Sequence, residues 1–219
     1  MSQPFEKQSE PAIRAPAIVL GLIFAFIVVH LIRLADPTFD ESVLEYLAFY
    51  QGSFWWSWVT YAFVHGDWGH LAINSFWMLA FGSVVAQRMG ALRFVIFSAI
   101  CAAAGAIPYW LSGEQVLLVG ASAAISGQMA GAVRLIYAGG ASPGGMRQDM
   151  EQVRALSLAE LLTNRQALLF LALWAALNLL FGAGSFTADG GGGEIAWEAH
   201  FGGFLGGLLL FGFFDKPRG

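Results

Sequence analysis

A few polar residues stand out in a chain otherwise dominated by apolar ones. His70 and Asn74 are four residues apart, Ser122 and Ser126 are four apart, and His200 lies near the C-terminal end. On a helix, residues four apart share a face. A zinc-protease helix needs His-Glu-x-x-His, whereas Gly66, Leu71 and Phe201 follow His65, His70 and His200. An aspartyl pair needs two carboxylates at depth, and no Asp or Glu lies deep in any apolar segment. The only lysines, Lys7 and Lys216, stand far from the serines, which excludes a Ser–Lys pair. Proton-coupled transport would call for buried Asp, Glu or Arg chains, also missing here. What remains is a serine activated by a histidine. His70 and Asn74 are then left to donate hydrogen bonds to a developing oxyanion. Neither a metal nor a cofactor is expected. Cys101 is the single cysteine, which excludes an intramolecular disulfide and a cysteine-based metal site. It reads as a small packing residue buried at lipid depth.

These residues must be carried by membrane helices. The chain has 219 residues, 57% hydrophobic and only 12% charged, with a mean hydropathy of +0.62. A soluble domain carries roughly twice that charged fraction. Too few polar side chains exist to coat a water-soluble globule of this size, and disorder is excluded by the same composition. The net charge of −4 argues against a nucleic-acid partner. A spanning helix needs roughly 20 apolar residues, and six segments qualify or nearly so: 15–34, 68–86, 92–111, 116–137, 167–182 and 195–214. The first segment is too long for a signal-peptide core, and Glu6 and Glu10 argue against a mitochondrial transit peptide. Residues 1–14 and 215–219 are expected to be short tails flanking one membrane domain, 15–214.

The positive-inside rule sets an orientation. With a cytoplasmic N-terminus and six alternating spans, ten of the eleven basic residues fall on the cytoplasmic side and only Arg33 falls outside. An odd number of spans would scramble this segregation. Trp55, Trp56, Trp58, Trp68, Trp110 and Trp197 then lie at the outer interface, where indole rings anchor helices. Residues 36–54 are too polar to cross and are expected to lie along the outer leaflet. Two glycine-rich linkers, 139–145 inside and 182–193 outside, read as flexible. A bacterial plasma (inner) membrane is the expected location, with both termini cytoplasmic.

The second, fourth and sixth segments all start at the outer face, and each carries its polar residues near that start. At about 1.5 Å per residue, these residues lie roughly 3–15 Å below the surface. Intramembrane polar groups are costly, so several at one depth point to function. Taken singly, a membrane serine usually bonds a carbonyl of the preceding turn, and a glycine pair usually packs helices. Small residues also recur at four-residue spacing: Ala123, Gly127 and Gly131 on one helix, Gly203 and Gly207 on another. Such stripes allow close backbone approach, which brings Ser122 within reach of His200. His30 reads as structural, and His65 as a hydrogen bonder that orders the loop before the second span.

The runs His65-Gly-Asp-Trp-Gly-His70-Leu-Ala-Ile-Asn74, Gly120-Ala-Ser122 and Ala199-His200-Phe-Gly-Gly203-Phe-Leu-Gly-Gly207 resemble the rhomboid intramembrane serine proteases. The likeness extends over about residues 55–212 in order and spacing, and it includes the aromatic run 55–61 and the Arg88-Met-Gly90 stop. It implies an all-α, six-helix bundle with Ser122 as nucleophile and His200 as general base and then acid. It implies an oxyanion held by the Ser122 N–H with His70 and Asn74. His65, Gly120, Ala123, Ser126, Gly203 and Gly207 would be structural residues near the site. Residues 190–193 would act as a lid over a water-filled cavity open to the outside. By the same resemblance, the partners are the lipid bilayer and single-pass membrane proteins, cut near the outer face after a small residue. Three positions depart from the family pattern. Ala123 replaces a usual glycine, adding a methyl expected to narrow the oxyanion pocket. Ser126 stands where an aromatic ring commonly packs on the catalytic imidazole, so ring orientation must come from a hydrogen bond or another aromatic. Gln87 replaces a frequent glutamate. The alternative function is a catalytically inactive rhomboid-like protein that binds membrane clients.

Overall fold

The computed structural model describes residues 15–113, 116–139, 153–182 and 196–215. Among them the structure is helical, with one isolated antiparallel bridge between Phe49 and Leu118. The elements in order are α1 Ala17–Ala35, α2 Pro37–Leu47, α3 Ser57–Thr60, α4 Trp68–Trp77, α5 Ser83–Met89, α6 Ala91–Ser112, α7 Ser122–Ile136, α8 Leu158–Thr163, α9 Arg165–Gly182 and α10 Trp197–Phe214. A 3₁₀ turn, Tyr61–Phe63, follows α3. A π turn, Met78–Gly82, joins α4 to α5, so Trp68–Met89 runs as one helix.

Three helices, Ala17–Ala35, Trp68–Met89 and Ala91–Ser112, are long and apolar enough to cross a membrane, and α9 holds a shorter apolar stretch, Arg165–Leu180. Their outward faces carry large apolar side chains such as Phe24, Leu92, Leu169 and Leu173, together with Leu209 and Phe213 of α10. Water would not tolerate so large a continuous apolar surface on a monomer. Lipid does.

The polar and small residues are gathered at the centre instead. Every residue of α7 from Ala123 to Leu135 is buried. At 1.5 Å per residue this 15-residue helix is about 22 Å long, against about 33 Å for the 22-residue helices beside it. It does not need to span hydrocarbon unaided, because α4, α5, α6 and α10 enclose it. The expected fourth segment began at residue 116, but the helix starts at Ser122. The intervening residues are held out of the helix: Phe49 and Leu118 exchange backbone hydrogen bonds of 3.1 and 2.9 Å.

Glycine lets α10 approach on two sides. A Cβ at Gly203 would lie 2.0 Å from the Ala123 carbonyl oxygen, and one at Gly207 would lie 2.3 Å from that of Gly127. On the neighbouring face, a Cβ at Gly202 would meet the Ala104 carbonyl at 2.6 Å. Close backbone contact through small residues is how membrane helices associate without a hydrophobic driving force. Cys101 is fully buried between helices, its Sγ against Gly127, and does not face lipid.

The bundle's two ends differ. At the end opposite the polar cluster, buried Arg88 pairs with Asp215 at 2.5 Å, and Gly90, at φ +77°, turns the chain from α5 into α6. There too, Arg134 donates to the carbonyls of Leu156 (2.7 Å) and Leu208 (3.2 Å). At the other end, residues 36–54 are not merely polar loop. Pro37–Leu47 is a helix whose start is capped by Asp36, with proline in its first turn. Exposed Phe39 and Tyr46 line it, and the Tyr46, Phe54 and Trp56 rings stack beyond it. Residues 1–14, 190–193 and most of both glycine-rich linkers lie outside the described residues.

Candidate active site

The segment entering α7 is pinned before it reaches Ser122. The Gly120 N–H donates to the Tyr61 carbonyl at 3.0 Å, and the Tyr61 hydroxyl donates to the Ala102 carbonyl at 2.8 Å. Gly120 has φ +107°, a conformation L side chains rarely adopt, and a Cβ there would lie 2.5 Å from His70 Nε2. Glycine is therefore required twice over, by backbone conformation and by the imidazole lying against it. Ser122 follows two residues later as the first residue of α7, half-buried, where backbone N–H groups of a helix start lack intrahelical acceptors.

The geometry brings Ser122 and His200 together. Ser122 Oγ and His200 Nε2 are 2.7 Å apart. Their helices, α7 and α10, are held at glycine distance one turn further on, by Gly203 against Ala123. Seventy-eight residues of sequence separate the pair, so only tertiary packing makes the contact.

A third group, not anticipated in the sequence, completes the chain of contacts. Asn178 Oδ1 lies 2.5 Å from His200 Nδ1, and Asn178 Nδ2 donates to the Trp174 carbonyl at 2.8 Å. Asn178 belongs to α9, which is fixed beside α10 by Trp174 packing against Phe201 and Phe204. The available signal was an amide in the run Leu177-Asn178-Leu179-Leu180, an expensive group in lipid.

His70 and Asn74 lie on α4, which adjoins α7. The Asp67 carboxylate caps the helix by accepting from the His70 N–H at 2.9 Å. That bond holds the Asp67 carboxyl below its ordinary range. Asn74 is buried, and its Nδ2 donates to the His70 carbonyl at 2.9 Å. An amide carries two N–H groups, so one remains for another acceptor.

Ser126 Oγ donates to the Ser122 carbonyl at 2.8 Å, a bond within its own helix. Ser126 thus does not orient the His200 ring. The Ala123 methyl is buried against Gly105 of α6, where a Cβ would come within 2.5 Å of it. The extra methyl is taken up in that helix interface. The His65 ring packs between Phe26 and His70. What ties this loop is the His65 backbone carbonyl, which accepts from Arg33 Nη1. His30 is buried edge-on to Trp68. Among the described residues, no group of three His, Cys, Asp or Glu side chains is placed to hold a metal.

A family model for the rhomboid domain matches residues 52–216. The chain is also 30% identical over 129 residues to Rhomboid-like protein 11, chloroplastic, of Arabidopsis thaliana, a match covering 58% of this chain. The chain spans about half the length of that curated relative, 46% of it. Together with the apolar outward faces of the helices, the family match makes this an integral membrane protein. By the extent of that match, the chain belongs to the rhomboid family.

Proposed function

We propose that this chain is an intramembrane serine endopeptidase that cleaves single-pass membrane proteins near the outer face of a bacterial plasma membrane. Six helices cross that membrane, with both termini cytoplasmic, as the segregation of basic residues favours. The observation that carries the reading is the 2.7 Å hydrogen bond between Ser122 Oγ and His200 Nε2.

The chemistry follows from that pair. Ser122 Oγ attacks the scissile carbonyl carbon while His200 Nε2 takes the hydroxyl proton. The resulting oxyanion accepts from the Ser122 N–H at the start of α7 and from His70 and Asn74. The Gly66 N–H points at His70 Nδ1 (3.4 Å), making that nitrogen the acceptor and leaving the proton on Nε2, beside Gly120. The tetrahedral species collapses as His200 passes its proton to the leaving amine nitrogen, giving an acyl-enzyme. Water then attacks the ester, with His200 again as base, and releases the new carboxylate and free Ser122. Substrate helices must unwind locally to present a carbonyl.

A fluorophosphonate probe and a model single-pass substrate, each in lipid bilayers, test this. Wild-type protein is expected to be labelled and to cleave, whereas Ser122→Ala and His200→Ala do neither. Cleavage that persists in Ser122→Ala would defeat the assignment. A wild-type protein that retains the substrate without labelling or cleaving would support the client-binding alternative.

A further inference from the structure

We infer that Asn178 is the positioning residue that sets the tautomer of His200, making a Ser122–His200–Asn178 relay across three helices. The inference rests on the protease reading above. A side-chain amide presents one acceptor oxygen and one donor nitrogen, and which faces a partner depends on the network around it. Here one side of the amide is decided by a backbone carbonyl. The Trp174 carbonyl, 2.8 Å away, can only accept, so it must face the NH₂ group. Oδ1 therefore faces His200 Nδ1, at 2.5 Å. An acceptor there requires Nδ1 to carry the proton. A neutral imidazole carries one proton, so Nε2 is left with its lone pair, 2.7 Å from Ser122 Oγ. The Ser122 hydroxyl then donates to Nε2, the arrangement a general base needs before attack.

Asn178 does this without charge. A carboxylate at that place would have to be held away from bulk water on a helix whose neighbouring residues are Leu177 and Leu179, both exposed toward lipid. A neutral amide fixes the tautomer and the ring angle without that desolvation cost. The position that commonly supplies an aromatic support in this family is Ser126 here. Its hydroxyl is engaged with the Ser122 carbonyl, so the support comes from another helix.

The test uses the full-length protein in lipid bilayers, with ¹⁵N-labelled histidine and a fluorophosphonate probe. The four histidines make the His200 ring signals assignable by comparison with His200→Gln. In the wild type, His200 is expected to show a protonated Nδ1 and a bare Nε2. Asn178→Leu, suited to an apolar helix, should shift it toward the Nε2-protonated form and slow labelling of Ser122 about 10- to 100-fold. Asn178→Asp restores an acceptor and should recover most of that rate. An unchanged tautomer in Asn178→Leu, or labelling at the wild-type rate, overturns the inference. So does an Asp variant as slow as the Leu variant, because an acceptor of the same shape would then stand at Nδ1 without restoring the rate. If the wild type is not labelled but the tautomer still depends on Asn178, the protease reading fails and the positioning role stands.

Discussion

Substituting Gly203 by alanine tests how the bundle builds its site. The added Cβ would lie 2.0 Å from the Ala123 carbonyl oxygen and 2.6 Å from its carbonyl carbon. Those are backbone atoms at the start of the buried stretch of α7, so no flexible side chain can yield. Reaching an ordinary contact of about 3.4 Å requires α7 and α10 to separate by roughly 1.4 Å. His200 is three residues before Gly203 on α10, and Ser122 is one residue before Ala123 on α7. A separation of that size stretches the 2.7 Å Ser122–His200 contact to about 4 Å, beyond a hydrogen bond. Misplacement by about 1 Å can lower a rate about 100-fold, and overpacking costs about 1–3 kcal/mol of stability. The assay is the rate of Ser122 labelling by a fluorophosphonate, with melting temperature in detergent as the folding control. Gly212→Ala, on the same helix with open space around it, is expected to keep the wild-type rate. A Gly203→Ala protein labelled as fast as wild type would refute the reasoning, because the glycine contact would not then be setting the Ser122–His200 distance.

Three further outcomes are expected. Asn74→Ala should slow substrate turnover about 100-fold with folding retained, if its second N–H donates to the oxyanion; an unchanged rate confines Asn74 to its bond with the His70 carbonyl. Asp215→Ala leaves Arg88, whose side chain is 1% exposed, without its 2.5 Å carboxylate partner. It should destabilise the fold by about 3–5 kcal/mol in thermal or denaturant unfolding. The Glu160 carboxyl, held down to about 2 by its Arg154 hydrogen bond and then by the Ser157 backbone N–H, should make α8 acid-sensitive. A lowered folded pKa contributes stability that is present above the ordinary value near 4.5 and is lost as pH falls toward 2. The protection factors of the α8 amides, which correct for the intrinsic pH dependence of exchange, are therefore expected to hold from pH 7 to 5 and to fall between about 4.5 and 2, whereas Glu160→Gln removes that dependence.

Several features could be read from residues alone because they rest on local pattern. The outward apolar faces follow from composition and length, and the Gly203/Gly207 spacing announces a close helix approach whatever the partner. That stripe also explains why Ser122 and His200 could be considered together: helices packed at backbone distance bring residues one turn away into reach. What escaped the sequence depends on tertiary pairing. Residues 116–121 are as apolar as the start of a span, yet Leu118 is taken up by Phe49, and α7 starts only at Ser122. Asn178 sits among leucines with no periodic partner, and its role exists only because Trp174 fastens α9 against Phe201 and Phe204.

The two departures nearest Ser122 are each met by a different helix. An alanine at 123 adds a methyl that must go somewhere, and Gly105 of α6 leaves the space for it; a Cβ at Gly105 would also meet the Ala199 carbonyl at 2.7 Å. Gly105 thus stands where α6 touches both α7 and α10, within one residue of Ser122 and of His200. A residue larger than glycine at 105 would push on α7 and α10 at once. At 126, a serine in place of an aromatic ring removes a surface for the imidazole to rest on. The Asn178 amide reaches the same ring from its opposite nitrogen. A ring face offers dispersion and leaves the tautomer free; an acceptor at Nδ1 fixes the tautomer as well as the position. The site is therefore held by contacts between helices rather than within one, and its geometry depends on α6, α7, α9 and α10 packing together.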